Sequence, residues 1–160
     1  MSEWERPGAS DDWLTPKYIF DALGVEFDLD VAAPEEVSNV PCRFWRSTTG
    51  LTRQWEGFVW MNPPFGGRNG ILPWLTKFVS HGNGIALTPD RTSAPWFQKT
   101  ARRIDRILFI SPKVKFERPD GSIGRQPGCG TALMSIGARG NAALVNAKLA
   151  GLGLLVEPSR

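Results

Sequence analysis

The stretch FVWMNPPFGGRNGILPWLTKFVSHGNGIALTP, residues 58–89, decides the architecture. It opens on four apolar residues, Phe58 to Met61, halted by Asn62, Pro63 and Pro64. A short apolar run stopped by turn-forming residues reads as a buried strand entering a stiff loop. Ile71, Leu72, Leu75, Phe78 and Val79 then recur at helical spacing, with Pro73 near the start, and Gly84 to Pro89 form a second apolar run. Further on, Ala94 to Arg103 reads as a helix and Arg106 to Ile110 as another strand. Strands alternating with helices imply parallel strands joined by crossovers, an open α/β sheet that binds ligands at the carboxyl ends of its strands.

Upstream, Phe27, Asp28, Leu29, Asp30 and Val31 alternate apolar and acidic residues, which predicts a strand within Val25 to Ala32 that ends near Asp30. Before it, KYIFDALG predicts a helix of about two turns, capped by Thr15, with Pro16 at its first position and Gly24 at its end. Residues 34–55 lack a period and read as loop with at most one short strand. Downstream, Val114 to Glu117 and Thr131 to Ile136 are expected to form a terminal antiparallel hairpin on a mostly parallel sheet. Residues 141–156 are expected to form a last, weakly packed helix.

The 160 residues, 41% hydrophobic and 22% charged, fit one domain spanning 1–160. No run reaches the roughly 18 apolar residues of a membrane span, so no membrane partner is expected. The start, MSEWERPGAS, lacks the basic and apolar segments of a secretory signal, which points to a cytoplasmic protein. Cys42 and Cys129 have neither a CxxC nor a histidine at metal spacing, so no disulfide framework and no metal site is expected. Charge is polarised: residues 1–40 carry ten acidic and two basic side chains, and residues 41–160 carry seventeen basic and six acidic. Lys99, Arg102, Arg103, Arg106, Lys113, Lys115, Arg118 and Arg125 read either as a polyanion-facing edge or as an ordinary solvated surface. His81, the single histidine, lacks a catalytic or metal partner and reads as a turn residue.

Asn62-Pro63-Pro64-Phe65 carries the chemistry, although Asn before Pro also simply starts turns. The tetrapeptide resembles the (Asn/Asp/Ser)-Pro-Pro-aromatic loop of S-adenosylmethionine-dependent amino-methyltransferases. With WLTP (Trp13 to Pro16), FDLDVAA (Phe27 to Ala33), GLTRQW (Gly50 to Trp55) and PWF (Pro95 to Phe97), the chain is similar to bacteriophage DNA N6-adenine methyltransferases over about residues 11–137. The resemblance implies a Rossmann-like methyltransferase fold, S-adenosylmethionine as cofactor, DNA as partner and a phage or prophage origin within a bacterial cytoplasm. It makes Asn62, Pro63, Pro64 and Phe65 the catalytic loop, and Thr15, Pro16, Asp30 and Ala32 the cofactor contacts. Phe116 becomes the aromatic on the far side of the base.

Adenine's exocyclic nitrogen is a poor nucleophile, because its lone pair is delocalised into the ring. An enzyme must therefore accept both N–H groups, which the Asn62 side-chain oxygen and the Pro63 carbonyl are suited to do. Pro63 and Pro64 fix φ and hold those acceptors still, and Phe65 offers a face to a flipped base. Arg118 and Arg125, in the Gly/Pro-rich loop Arg118 to Gly130, are expected to meet phosphate or a guanine edge; the same loop also reads as a plain connection. The family's glycines after the first strand are replaced by Ala32 and Ala33, and Thr49 stands where an acidic residue is common. Glu35 or Glu36 is the candidate ribose ligand. RNA or protein glutamine as substrate, or a catalytically silent DNA-binding module, remain as alternatives, and both monomer and homodimer stay open.

Overall fold

The computed structural model describes residues 13–34, 38–65, 70–124 and 128–159. In chain order the elements are α1 (Lys17–Leu23), β1 (Phe27–Asp30), β2 (Cys42–Trp45), β3 (Val59–Met61), α2 (Leu72–His81), β4 (Gly84–Pro89), α3 (Pro95–Ala101), β5 (Arg106–Ile110), β6 (Thr131–Ile136), α4 (Ala138–Leu149) and β7 (Gly153–Val156). The strands form one seven-stranded sheet in the order β2-β1-β3-β4-β6-β5-β7. β2, β1, β3 and β4 pair in parallel. β6 runs antiparallel between β4 and β5, and β7 runs antiparallel outside β5. The result is a mixed α/β architecture, parallel in the first half of the sheet and antiparallel in the second.

Each sheet face is covered because the strands are apolar on both sides, as strands between two helical layers must be. Ile19, Phe20 and Leu23 of α1 and Ala143, Leu144 and Ala147 of α4 join Trp60, Ile85, Leu87, Leu108 and Leu133 on one face. Trp74, Leu75 and Phe78 of α2 and Phe97 of α3 join Val59, Met61, Ala86, Ile107 and Met134 on the other. A bulge in β1 breaks the simple alternation. Phe58 O accepts from both Asp28 N (2.8 Å) and Leu29 N (3.4 Å), and Phe27 and Leu29, two residues apart, enter opposite faces.

Several expectations are corrected. Val114 to Glu117 is not a sheet strand: Glu117 alone makes isolated bridges, to Leu14 and Ile123. The alternation there arises because Val114 and Phe116 are buried in the α1/α4-face core. The expected terminal hairpin is therefore replaced by β6 and β7 on either side of β5. The last helix begins earlier and ends at Leu149, where Gly151, at φ 82°, lets the chain turn back into β7. Gly153 lies so close to Phe109 O that a Cβ would overlap it, which fixes glycine at that strand's start. Nor is α4 weakly packed, since Ala143, Leu144 and Ala147 are fully buried. Thr15 does not cap α1; Pro16 holds the N-cap position with no side-chain bond.

Candidate active site

Asp30, Asn62 and Asp90 follow from the ends of three parallel strands and so share the carboxyl edge of the sheet. β1 ends at Asp30, opposite Trp60 of β3. Asp30 is 2% exposed. Its Oδ2 accepts from Ser38 Oγ at 2.6 Å and its Oδ1 from Ala32 N at 3.2 Å. Burial outweighs those two bonds and pushes the carboxyl up to about 6.

No helix follows β1 among the described residues. Val31 N donates to Trp60 O (3.1 Å) and Ala33 N to Arg46 O (2.9 Å), so the chain stays threaded between β3 and the end of β2. Glycine is needed where a strand turns into a helix so tightly that a ligand meets the backbone. Among the described residues β1 leads through a turn at Val31 and Ala32 into no helix, a setting that alanines fit.

Beyond β3, Pro63 is buried, Pro64 exposed and Asn62 half-buried. Asn62 Nδ2 donates to Thr15 Oγ1 at 3.2 Å. Among the described residues nothing donates to Asn62 Oδ1. Phe65 is half-buried and rests on the α2/α3-face core. The structure thus brings Thr15, Pro16, Asp30, Ala32 and Asn62 to one edge, with the Pro-Pro loop rising from it. Two braces were illegible in the sequence: Ser38, which holds Asp30, and Asn39, whose Nδ2 donates to Thr15 O at 2.7 Å. Both sit in a stretch without periodicity, where Ser and Asn read as turn formers.

The edge offers a buried carboxyl, a hydroxyl and a carboxamide oxygen to which no described residue donates. The sequence model of the DNA N-6-adenine-methyltransferase (Dam) family matches residues 5–143. The chain belongs to that family. No curated protein and no solved structure gives a significant match. The Dam family methylates adenine N6 in DNA, and its members generally use S-adenosylmethionine.

Within this Dam-family chain the remaining sequence candidates fall in different places. Phe116 is 4% exposed in the α1/α4-face core. Arg118 is exposed and lays its guanidinium over Trp13, 5.0 Å from the ring centre. Its backbone closes a turn with Ser122 and Gly121. Arg125, Glu35 and Glu36 lie outside the described residues. Arg102 and Arg103 are exposed, whereas Arg106 is drawn to Glu157 (3.0 Å) and to Asn141 O (3.0 Å), a structural engagement. His81 ends α2, with its Nε2 2.7 Å from Gly57 O. No helix among the described residues is long and apolar enough to cross a membrane.

Proposed function

We propose that this chain transfers the methyl group of S-adenosylmethionine to the exocyclic N6 of an adenine at a short DNA site, from a Rossmann-like methyltransferase core. The observation that carries the proposal is the Asn62 carboxamide at the sheet's carboxyl edge, its nitrogen engaged by Thr15 and its oxygen without a donor among the described residues. In this reading Asn62 Oδ1 and the Pro63 carbonyl accept the two N6–H groups. That raises electron density on nitrogen and holds its lone pair toward the methyl. Pro63 and Pro64 keep both acceptors fixed. Phe65 stacks on the extruded base, because the amine inside a duplex cannot reach a buried methyl donor.

When bound, the cofactor supplies a sulfonium-activated methyl group. Asp30 would accept from its ammonium or hydroxyl groups, and Pro16 and Ala32 would border it. Thr15 would border the cofactor through its backbone and methyl group, its hydroxyl being engaged by Asn62. Phe116 would form the pocket wall from the core side, and Arg118, with Arg125, would meet the DNA backbone or a guanine edge.

Labelled methyl transfer, assayed in parallel on DNA, RNA and protein, tests the reading. It expects label in DNA, at N6 of adenine within one short sequence. Label confined to RNA or protein, or cofactor binding without transfer to DNA, overturns it.

A further inference from the structure

We infer that Thr15 is a positioning residue for methyl transfer, holding the Asn62 carboxamide in the orientation that presents its oxygen to the target amine. The inference rests on the proposed role of Asn62 and goes beyond it. Thr15 is 2% exposed, and its backbone is fixed from three sides. Leu14 pairs with Glu117 through N–H···O bonds of 2.8 and 3.1 Å. Asn39 Nδ2 donates to Thr15 O at 2.7 Å. Pro16 starts α1, with its carbonyl accepting from Ile19 N at 3.1 Å. A hydroxyl so anchored is a stationary acceptor, and Asn62 Nδ2 reaches it at 3.2 Å across 47 residues of chain.

A carboxamide has a donor end and an acceptor end of nearly equal size, exchanged by rotation about its last torsion. The target amine carries two N–H donors, so the rotated amide would set donor against donor. A hydroxyl tolerates either end, and the amine selects the one that leaves Oδ1 outward. Thr15 holds the plane in which that selection is made. Without the hydroxyl, Asn62 Nδ2 loses its side-chain acceptor and the amide is released to rotate. The loss should fall on the chemical step rather than on binding.

The experiment compares Thr15→Val, which keeps shape and removes the hydroxyl, with Thr15→Ser, which keeps the hydroxyl. Single-turnover methylation, KM for DNA and calorimetric cofactor affinity are measured in the wild-type and Asn62→Ala backgrounds, well below each variant's Tm. Loss of one neutral hydrogen bond predicts about a tenfold lower rate for Thr15→Val. KM and cofactor affinity should stay within about threefold of wild type, and Thr15→Ser should recover most of the rate. In the Asn62→Ala background, Thr15→Val should cost nothing further.

A wild-type rate for Thr15→Val overturns the inference, as does a defect confined to cofactor affinity or a full further loss on top of Asn62→Ala. Should Thr15→Val fail to fold, Thr15→Ala carries the same comparison. If Asn62→Ala itself turns over at the wild-type rate, the proposed catalytic loop is wrong. If Asn62→Ala is impaired while Thr15→Val is not, this inference alone fails.

Discussion

The Asn62 loop and the turn from Gly50 to Trp55 both stand beside the end of β1, yet their polar atoms are used in opposite ways. In the turn, Gly50 O accepts from Trp55 Nε1 at 2.7 Å and from Lys77 Nζ at 3.0 Å. Lys77 Nζ also caps Leu51 O at 2.9 Å and Arg53 O at 2.5 Å. Gly50 lies against Val31 O and the Trp74 ring so closely that a side chain would overlap both. Asn62 instead points an oxygen at no donor among the described residues. Both stretches are equally distinctive as strings of letters. What separates them is whether their polar groups are satisfied from within, since a group left unsatisfied in a rigid setting is available to a ligand.

Asn62→Ala should break the comparison most sharply. Turnover is expected to fall by roughly 10²-fold or more, the scale of losing a preorganised electrostatic partner. Tm and cofactor affinity should hardly move, and Asn62→Asp, which keeps an acceptor, should be milder. Steady-state methylation with calorimetry decides it; a stability loss matching the activity loss would make the loop another structural turn.

Asp30 sharpens the contrast from the site side. Its folded value of about 6 lies above the 3.8 of an ordinary aspartate. The folded chain therefore binds this proton more tightly than the unfolded chain. This group's contribution to stability is greatest below about pH 4, declines as pH rises toward 6 and is flat above, with a total change of about 3 kcal/mol. Denaturation of the ligand-free protein from pH 4.5 to 7, wild type against Asp30→Asn, should show that slope in the former and not in the latter. Cofactor affinity should run the other way, weakening as pH falls through 6, because an ammonium prefers the ionised carboxylate.

Gly50→Ala should do what Asn62→Ala does not. A Cβ there must displace Val31 or Trp74, an overpacking cost of about 2 kcal/mol. Thermal melting should show it, with the catalytic rate per folded molecule little changed. The smallest effect is expected from Trp55→Phe, which removes the donor to Gly50 O and costs about 1 kcal/mol. An activity loss larger than the stability loss in either variant would bring the turn into the site.

The parts of the fold that the sequence disclosed are those where burial and periodicity agree. β3, β4 and β5 are apolar runs between turn signals, and α2 lies where helical spacing put it. β2 was obscured because an edge strand with Arg43, Phe44 and Trp45 exposed has no buried face to print a pattern. The β1 bulge is invisible because it shifts two side chains to opposite faces without changing the residue alternation. In the candidate site, chemistry and resemblance name Asn62, Asp30 and Thr15, and the structure sets them at one edge of the sheet. Ser38 and Asn39 were not, since only the folded chain places their hydrogen bonds on Asp30 and Thr15.

The placement of β6 has a consequence in time. β4 and β5 are successive in the chain, yet neither touches the other in the sheet; each pairs with β6, whose residues 131–136 are made later. While a ribosome extends the chain, β1 to β4 have partners already synthesised, but β5 has none in the sheet until β6 emerges. The half of the sheet that carries Asp30 and Asn62 therefore has its strands to hand early. The far half waits for contacts of longer sequence separation, which are slower to form and leave apolar edges uncovered meanwhile. Chains arrested before residue 131 should accordingly expose Ile107 and Leu108, fully or almost fully buried in the finished protein, and be the species that chaperones hold.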